Sequence, residues 1–401
     1  MAPLSPDYRP MLRRTVQHSA TADPSRLALH DSARIVPSVV VIHKQALQLV
    51  SAFTGAHSIA SLSKAVGSGP QATEAVTRLV EGLDSALLLQ SQKFDEYVIG
   101  PHRLASCLGC YPDEPAEIRQ QLEGLFTAPG GPGLPTVRLE PGTLRAAFVP
   151  HMDYARGGET YCWGFKEIVE QSNAKLFFII ATSHYSAERF TLTRKNFQTP
   201  LGIVPTDQGS IDVIEQSYGA GLFEDPVAHL PEHSIELEVL LLQYLLEGKR
   251  PFRIVPLLVG SYADRVQCGA SPGEAEDIRR MVRALQAAEA AAHEEVCYLI
   301  SGDLAHIGPK FRHPMPVNEE WLAQSRSQDE KLLNAFANAD PEGFFQVISQ
   351  ERDGRNICGL PPAWLALTAA RPRRGKVLNY GRYVHPEGFE SVSFAAAGFY
   401  Q

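Results

Sequence analysis

Five runs of this chain are apolar almost throughout: Leu144–Pro150, Leu176–Thr182, Phe252–Gly260, Val296–Ser301 and Ser391–Phe399. A strand with one wet face alternates apolar and polar residues, whereas a strand apolar on both sides has to be covered on both. Helical stretches lie between the runs, notably "IELEVLLLQYLLEG" and "EDIRRMVRALQAAEAAAHEE". That alternation predicts an α/β domain whose central sheet is largely parallel and covered by helices on both faces. Ligands of such sheets bind in the crevice outside the carboxyl ends of the strands.

The ends of these runs therefore matter. "AFVPHMDYARGG" carries His151 and Asp153, "LFFIIATSHYS" carries His184, and "VCYLISGDLAHIG" carries Asp303 and His306. "PFRIVPLLVGSY" ends at Gly260 and Ser261, where backbone can approach a ligand, and "AHLPEHSIELE" brings His229, Glu232 and His233 to the start of a helix. Taken singly, His151 or His184 would do no more than bond a backbone carbonyl at its turn. The same ending on three strands argues against that. His151, Asp153, His184, His233, Asp303 and His306 are candidates for one pocket. Two histidines and a carboxylate with open positions suit Fe(II), and a further histidine suits proton movement. Asp153 is expected to bond the amides of its own turn. His229 is expected on the loop surface and His293 at a solvated helix end, while His313 and His385 fall in Pro-containing loops.

The formal net charge of -8 over 401 residues argues against general affinity for nucleic acid or an anionic membrane surface. No apolar run is long enough to cross a bilayer, and "MAPLSPDYRPMLRRTVQHSA" lacks the apolar core of a secretory signal. The 6 cysteines are too sparse for a disulfide framework, so a reducing cytoplasm is the simpler expectation. "CLGC" at 107–110 is a lone CxxC, expected as a small-residue turn before a helix.

Residues 20–98 form a separate module. "SVVVIHKQALQLVSAFTG" predicts a strand and a helix, "HSIASLSKAVG" a second helix, and "PQATEAVTRLVEGLDSALLLQSQKF" a long helix running into an apolar strand. This small winged-helix-like module resembles the PqqD-like modules that bind peptides, on the stretches "ALQLVSAFTGAHSIASL" and "LVEGLDSALLL". A packing or dimerisation appendage is the alternative. "APGGPGLP" at 128–135 reads as a Gly/Pro linker-like loop.

Residues 99–401 resemble the MEMO family, the B component of the AmmeMemoRadiSam system, which shares its fold with class III extradiol dioxygenases. "CYPDEPAEIRQQLEGLF", "VPHMDYARGGETYCWGFKEI", "IIATSHYS", "FQTPLGIVPTD", "EHSIELEVLLLQYL", "IVPLLVGS", "ISGDLAHIG", "ICGLPP" and "SVSFAAAGF" follow in family order. The resemblance implies that His151 and His184 are metal ligands. The family's third ligand is a cysteine in the motif that here reads "GDLAH", where this chain has Ala305. Asp303 is expected as the replacement, with His306 as the alternative, and the loss of that cysteine removes the expected site of copper–thiolate chemistry. His233 falls at the family's proton-handling position. Glu236, one turn along, would hold its tautomer or else face solvent.

Three functions compete. The first is an Fe(II)-dependent, dioxygenase-like oxidoreductase acting on a small or peptide-borne substrate. The second is a peptide- or protein-binding scaffold working through residues 35–98. The third is a hydrolase with a metal-bound water, for which Zn(II) would serve; copper remains a further metal.

Overall fold

The computed structural model describes residues 4–107, 109–136 and 143–401. The chain divides after Pro101 into two compact units. In the first, β1 (Val16–Ala20), β2 (Arg26–Asp31) and β3 (Val39–His43) form an antiparallel sheet in that order. Four helices follow: α1 (Leu47–Ser51), α2 (Ile59–Val66), α3 (Pro70–Ser85) and α4 (Gln92–Ile99). Local signals set these boundaries. The Ser58 side chain caps α2, Gly67 ends it, and Pro70 sits in the first turn of α3, where no amide donor is needed.

The core of this unit gathers Leu29, Ile42, Val50, Phe53, Ile59, Val76, Val80, Leu83 and Leu89. Arg13 enters it, paired with Asp31 at 2.9 Å and lying over the Phe94 ring. Two expectations change here. Residues before 20 belong to the unit, since Met11 bridges Thr54 and Leu12 bridges Leu89. The apolar stretch after α3 is not a strand: Leu87 takes a positive φ of 60°, which turns the chain, and only the single bridge at Leu89 remains.

The second unit opens with β4 (His102–Arg103) and α5 (Pro115–Thr127). Then come β5 (Leu144–Val149), α6 (Tyr154–Gln171), β6 (Leu176–Thr182), β7 (Phe190–Leu192), β8 (Asn196–Thr199) and β9 (Gly202–Val204). Next are α7 (Gln208–Tyr218), α8 (Glu236–Leu246), β10 (Arg253–Val259), α9 (Ala263–Cys268), α10 (Glu276–Ala291) and β11 (Val296–Ser301). The chain finishes with β12 (His306–Ile307), α11 (Glu319–Ala337), α12 (Pro341–Gln350), α13 (Leu360–Ala370), β13 (Arg374–Val384) and β14 (Ser391–Tyr400).

The central sheet runs β12-β14-β5-β11-β6-β10-β7, with β13 also paired to β14. Its middle strands β5, β11, β6 and β10 are parallel, as expected for doubly apolar runs, but the fifth such run, β14, is buried on both faces and pairs antiparallel to β5, as the other outer strands pair. Alternate residues feed two cores. Phe148, Phe178, Ile180, Leu257 and Ile300 face one packed by α10 and α13. Val149, Phe177, Ile179, Leu258 and Leu299 face the other, packed by α5, α6 and α8. Both α8 and α13 are buried nearly all round, which explains why neither carries a polar stripe.

The strand β13, "RGKVLNYGRYV", lay outside the predicted set because it is mixed in polarity and half-buried. The loop 128–135 joins no domains. Gly130, Pro132, Gly133 and Leu134 turn their carbonyls to Trp163 and Lys166 of α6. Among the described residues no helix is long and apolar enough to cross a membrane.

Candidate metal centre

Parallel register brings the strand ends together. Val149 of β5 lies beside Ser301 of β11, and Ser301 beside Ala181 of β6. Two or three residues further on, His151, Asp303 and His184 therefore leave the same edge of the sheet. The loop before α8 adds His233. The three imidazole rings of His151, His184 and His233 form a triangle with centroid separations of 5.0, 5.4 and 5.0 Å. His151 lies deepest, with its side chain 3% exposed, while those of His184 and His233 are 31% and 29% exposed. The two open rings thus face whatever enters the crevice.

Glu232 organises this group. Its carboxylate accepts the His184 backbone amide at 2.7 Å and the Ser234 amide at 3.1 Å. It also meets Nδ1 of His184 at 3.0 Å and Nδ1 of His233 at 3.3 Å. Burial opposes ionisation of Glu232, yet the charge and hydrogen bonds of His184 hold its carboxyl well below the usual range. Burial would likewise depress His184, but Glu232 outweighs it and raises that imidazole. His233 goes the other way, to about 4, because burial and the neighbouring His184 outweigh its share of the same carboxylate. With its pKa near 4, His233 is neutral at physiological pH. With Nδ1 of each ring turned to Glu232, Nε2 keeps the lone pair that a metal or a substrate proton needs.

His151 is fixed differently. The Ser301 hydroxyl donates to the Ser234 carbonyl at 2.6 Å and lies 3.4 Å from Nδ1 of His151, so Nδ1 carries the proton. Nε2 then points to the Cys358 Sγ at 3.2 Å and to an Asp303 oxygen at 3.7 Å. Burial, then His184 and His233, push His151 well below its usual pKa. Asp303 is 1% exposed and accepts the His151 amide at 3.2 Å. Burial raises its carboxyl to about 7. Burial, with Asp303 nearby, also raises the Cys358 thiol well above its usual value. Nδ1 of His306 turns to the carbonyls of Leu304 and Asn356 at 3.1 and 3.0 Å, and burial lowers its pKa to about 4.

Donor atoms within 4.8 Å of one another fall into three groups: His151, His184 and Cys358; Asp303, His306 and Cys358; His184, Glu232 and His233. The last is the hydrogen-bonded carboxylate just described. The first two surround a half-buried thiol and a buried carboxyl. Metal binding releases protons from such groups, so this donor set fits a borderline divalent ion.

Several sequence-based expectations are thereby corrected. Glu236 neither faces solvent nor holds His233. It is fully buried against Arg103, the Tyr111 hydroxyl and the amides of Ser106 and Cys107. Glu232 holds His233 instead. His229 is not on the surface: it is 3% exposed and donates from Nε2 to the Thr191 carbonyl at 3.1 Å. Gly260 serves packing, because a Cβ there would lie 2.5 Å from the Glu188 carbonyl oxygen. Asp153 caps α6 as expected, accepting the Arg156 amide at 3.1 Å. Cys107 and Cys110 form a disulfide rather than a plain turn; Leu108 of that motif lies outside the described residues. Cys358 brings a thiol to the site. Sequence reasoning missed it because it sits on no strand end; the "CG" before "LPP" was its one trace.

A profile of Memo-like proteins matches residues 103–399. A MEMO1 family protein of Caldivirga maquilingensis is 27% identical over 263 residues, 64% of this chain and 83% of that protein. One from Methanopyrus kandleri is 26% identical over 297 residues, 71% of this chain and 95% of that protein. One from Aquifex aeolicus is 23% identical over 340 residues, 82% of this chain and 83% of that protein. The matched span takes in every strand of the second unit's central sheet, all but the last residue of β14, and every residue of the crevice, so the chain belongs to the Memo-like family.

Proposed function

We propose that this protein is a metal-dependent oxidoreductase of dioxygenase-like chemistry, acting on a small or peptide-borne substrate at the strand ends. The observation that carries this reading is the triangle of imidazoles, one buried and two open to the crevice, each with Nδ1 committed to a second partner. His151 and His184 would hold the ion, Fe(II) on this reading, with a third donor from Asp303 or Cys358. Bound there, the ion would supply open positions for two substrate oxygens and for dioxygen. Glu232 fixes the His184 ring, and Ser301 fixes His151. Neutral His233 accepts a substrate proton at Nε2, its Nδ1 proton held toward Glu232. His306 shares a close donor group with Asp303 and Cys358, and its Nε2 would serve a second proton transfer. Cytoplasmic Fe(II) would suit this chemistry.

The test is metal content and oxygen uptake of protein purified without air. Near-stoichiometric iron, lost in His151→Ala and His184→Ala, with oxygen consumed when catechols are added, is the expected result. No retained metal in the wild type after iron or zinc is added back would overturn the reading.

A second reading rests on the first unit. There β3 is an edge strand, and Val39 and Val41 are exposed on it. A peptide pairing along such an edge gains main-chain hydrogen bonds and side-chain contacts. On this reading peptide binding is unchanged by His184→Ala.

A further inference from the structure

We infer that Cys358 is the third metal ligand, so that the centre is a two-histidine, one-thiolate site and not a two-histidine, one-carboxylate site. The inference rests on the metal-dependent reading above. Of the three close groups of donor atoms, the one that contains both strand-end histidines contains Cys358 and not Asp303. The Cys358 Sγ lies 3.2 Å from Nε2 of His151. Ligand atoms about 3.5 Å apart are what a tetrahedral ion with ordinary metal–nitrogen and metal–sulfur bonds would impose. Asp303 is partly committed elsewhere, since one oxygen accepts the His151 amide.

The placement of the sulfur is built into the chain. The Cys358 carbonyl accepts the Thr182 hydroxyl at 2.9 Å, tying its loop to the strand end that carries His184. Gly359 donates its amide to the Asp303 carbonyl at 2.9 Å. The two loops touch backbone to backbone: a Cβ on Gly302 would lie 2.5 Å from the Gly359 Cα, and one on Gly359 would lie 2.7 Å from the Asp303 carbonyl oxygen. Any side chain at either glycine would drive Cys358 away from the histidines. The Asp303 amide points at the sulfur at 3.3 Å, a donor that favours thiolate over thiol. A thiolate shifts the preference from hard, oxygen-loving ions toward Fe(II), Zn(II) and copper.

Cobalt(II) is the probe. Anaerobic protein carrying Cys268→Ser, which removes the exposed free cysteine, is loaded with Co(II). Bound metal, a sulfur-to-cobalt charge-transfer band and a sulfur scatterer in cobalt X-ray absorption are expected. With Cys358→Ser added, the band and the scatterer disappear, and affinity drops at least tenfold. The scattering measurement on the Cys268→Ser protein needs no folding of the second variant. Cobalt bound with only nitrogen and oxygen neighbours would overturn Cys358 as ligand while leaving the metal centre standing. No cobalt, iron or zinc bound at all would overturn the centre itself.

Discussion

Two buried acids of the second unit do opposite things. Glu236 is fully buried and saturated: a guanidinium, a phenol and two amides converge on it, and the resulting lock ties α8 to the segment around Arg103 and Tyr111. Burial disfavours its charge, but Arg103 and the hydrogen bonds hold its carboxyl below the usual range. Asp303 is equally buried, accepts one amide, and has its carboxyl raised to about 7. A buried charge whose valences are filled by protein is architecture. A buried acid with few partners, beside a half-buried thiol and imidazoles, keeps a protonation state that its surroundings can change.

The largest expected effect breaks the saturated side. Glu236→Leu leaves Arg103, itself 0% exposed, without its carboxylate. Stability to urea should drop by about 3–5 kcal/mol, the cost of stranding a buried charge. Adding Arg103→Met should restore much of that, because the pair is removed whole. The double variant should still bind metal through His151 and His184. If single and double variants lose the same stability, the pair is not a closed unit and the contrast with Asp303 fails.

How far this contrast could be read from sequence depends on which signal each residue carries. The doubly apolar runs gave the parallel strands, and because parallel strands end on one edge, His151, His184, Asp303 and His306 could be placed together before any coordinates. Helical spacing then misled. One turn beyond His233, Glu236 looked like its partner, but α8 is buried on every side and turns Glu236 toward Arg103. Sequence spacing fixes neighbours on one helix; it does not reveal what a second segment brings to that face. Glu232 and Cys358 escaped for a related reason. Both lie on loops whose course is set by tertiary contacts, the Thr182–Cys358 bond and the Gly302–Gly359 approach among them. β13 was hidden by its mixed polarity, and the turn at Leu87 by an apolar sequence that reads as strand.

The second prediction uses pH to separate the two kinds of buried group in metal-free protein. His233 and His306 have pKa values near 4 in the folded chain against an ordinary 6.5. The unfolded chain therefore binds more protons between pH 6.5 and 4, and stability falls as pH falls through that window. His151, also depressed, acts in the same sense. His184 is raised, so its contribution is already complete below pH 6.5. Asp303 opposes the drop, because its carboxyl at about 7 against an ordinary 3.8 makes the folded chain the better proton binder. The depressed histidines outnumber Asp303, so the net result from pH 6.5 to 4 should be a loss of stability, read as a falling urea midpoint. Asp303→Asn should steepen it. Glu236 adds only at the acid end of this window, since its carboxyl is depressed and its contribution is lost only below about pH 4.5. A flat profile, unchanged by Asp303→Asn, would mean that the crevice is as well satisfied as the Glu236 lock.

The smallest effect tests where the crevice stops. Asp153 is two residues from His151 and carries a carboxylate, so proximity alone would enrol it in the metal site. Its oxygens are spent locally: one accepts the Arg156 amide at 3.1 Å, and the other meets Nε of Arg156 at 2.6 Å. That is a helix cap with an added ion pair, half-buried and filled by its own helix. Asp153→Ala should cost about 1 kcal/mol of stability, the usual worth of such a cap. Asp153→Asn, which keeps the capping oxygen, should cost less. Both variants should retain the wild-type metal stoichiometry, because Asp153 is filled by its own helix. Loss of metal in Asp153→Asn, with stability intact, would place Asp153 among the donors and erase the distinction between filled and unfilled acids.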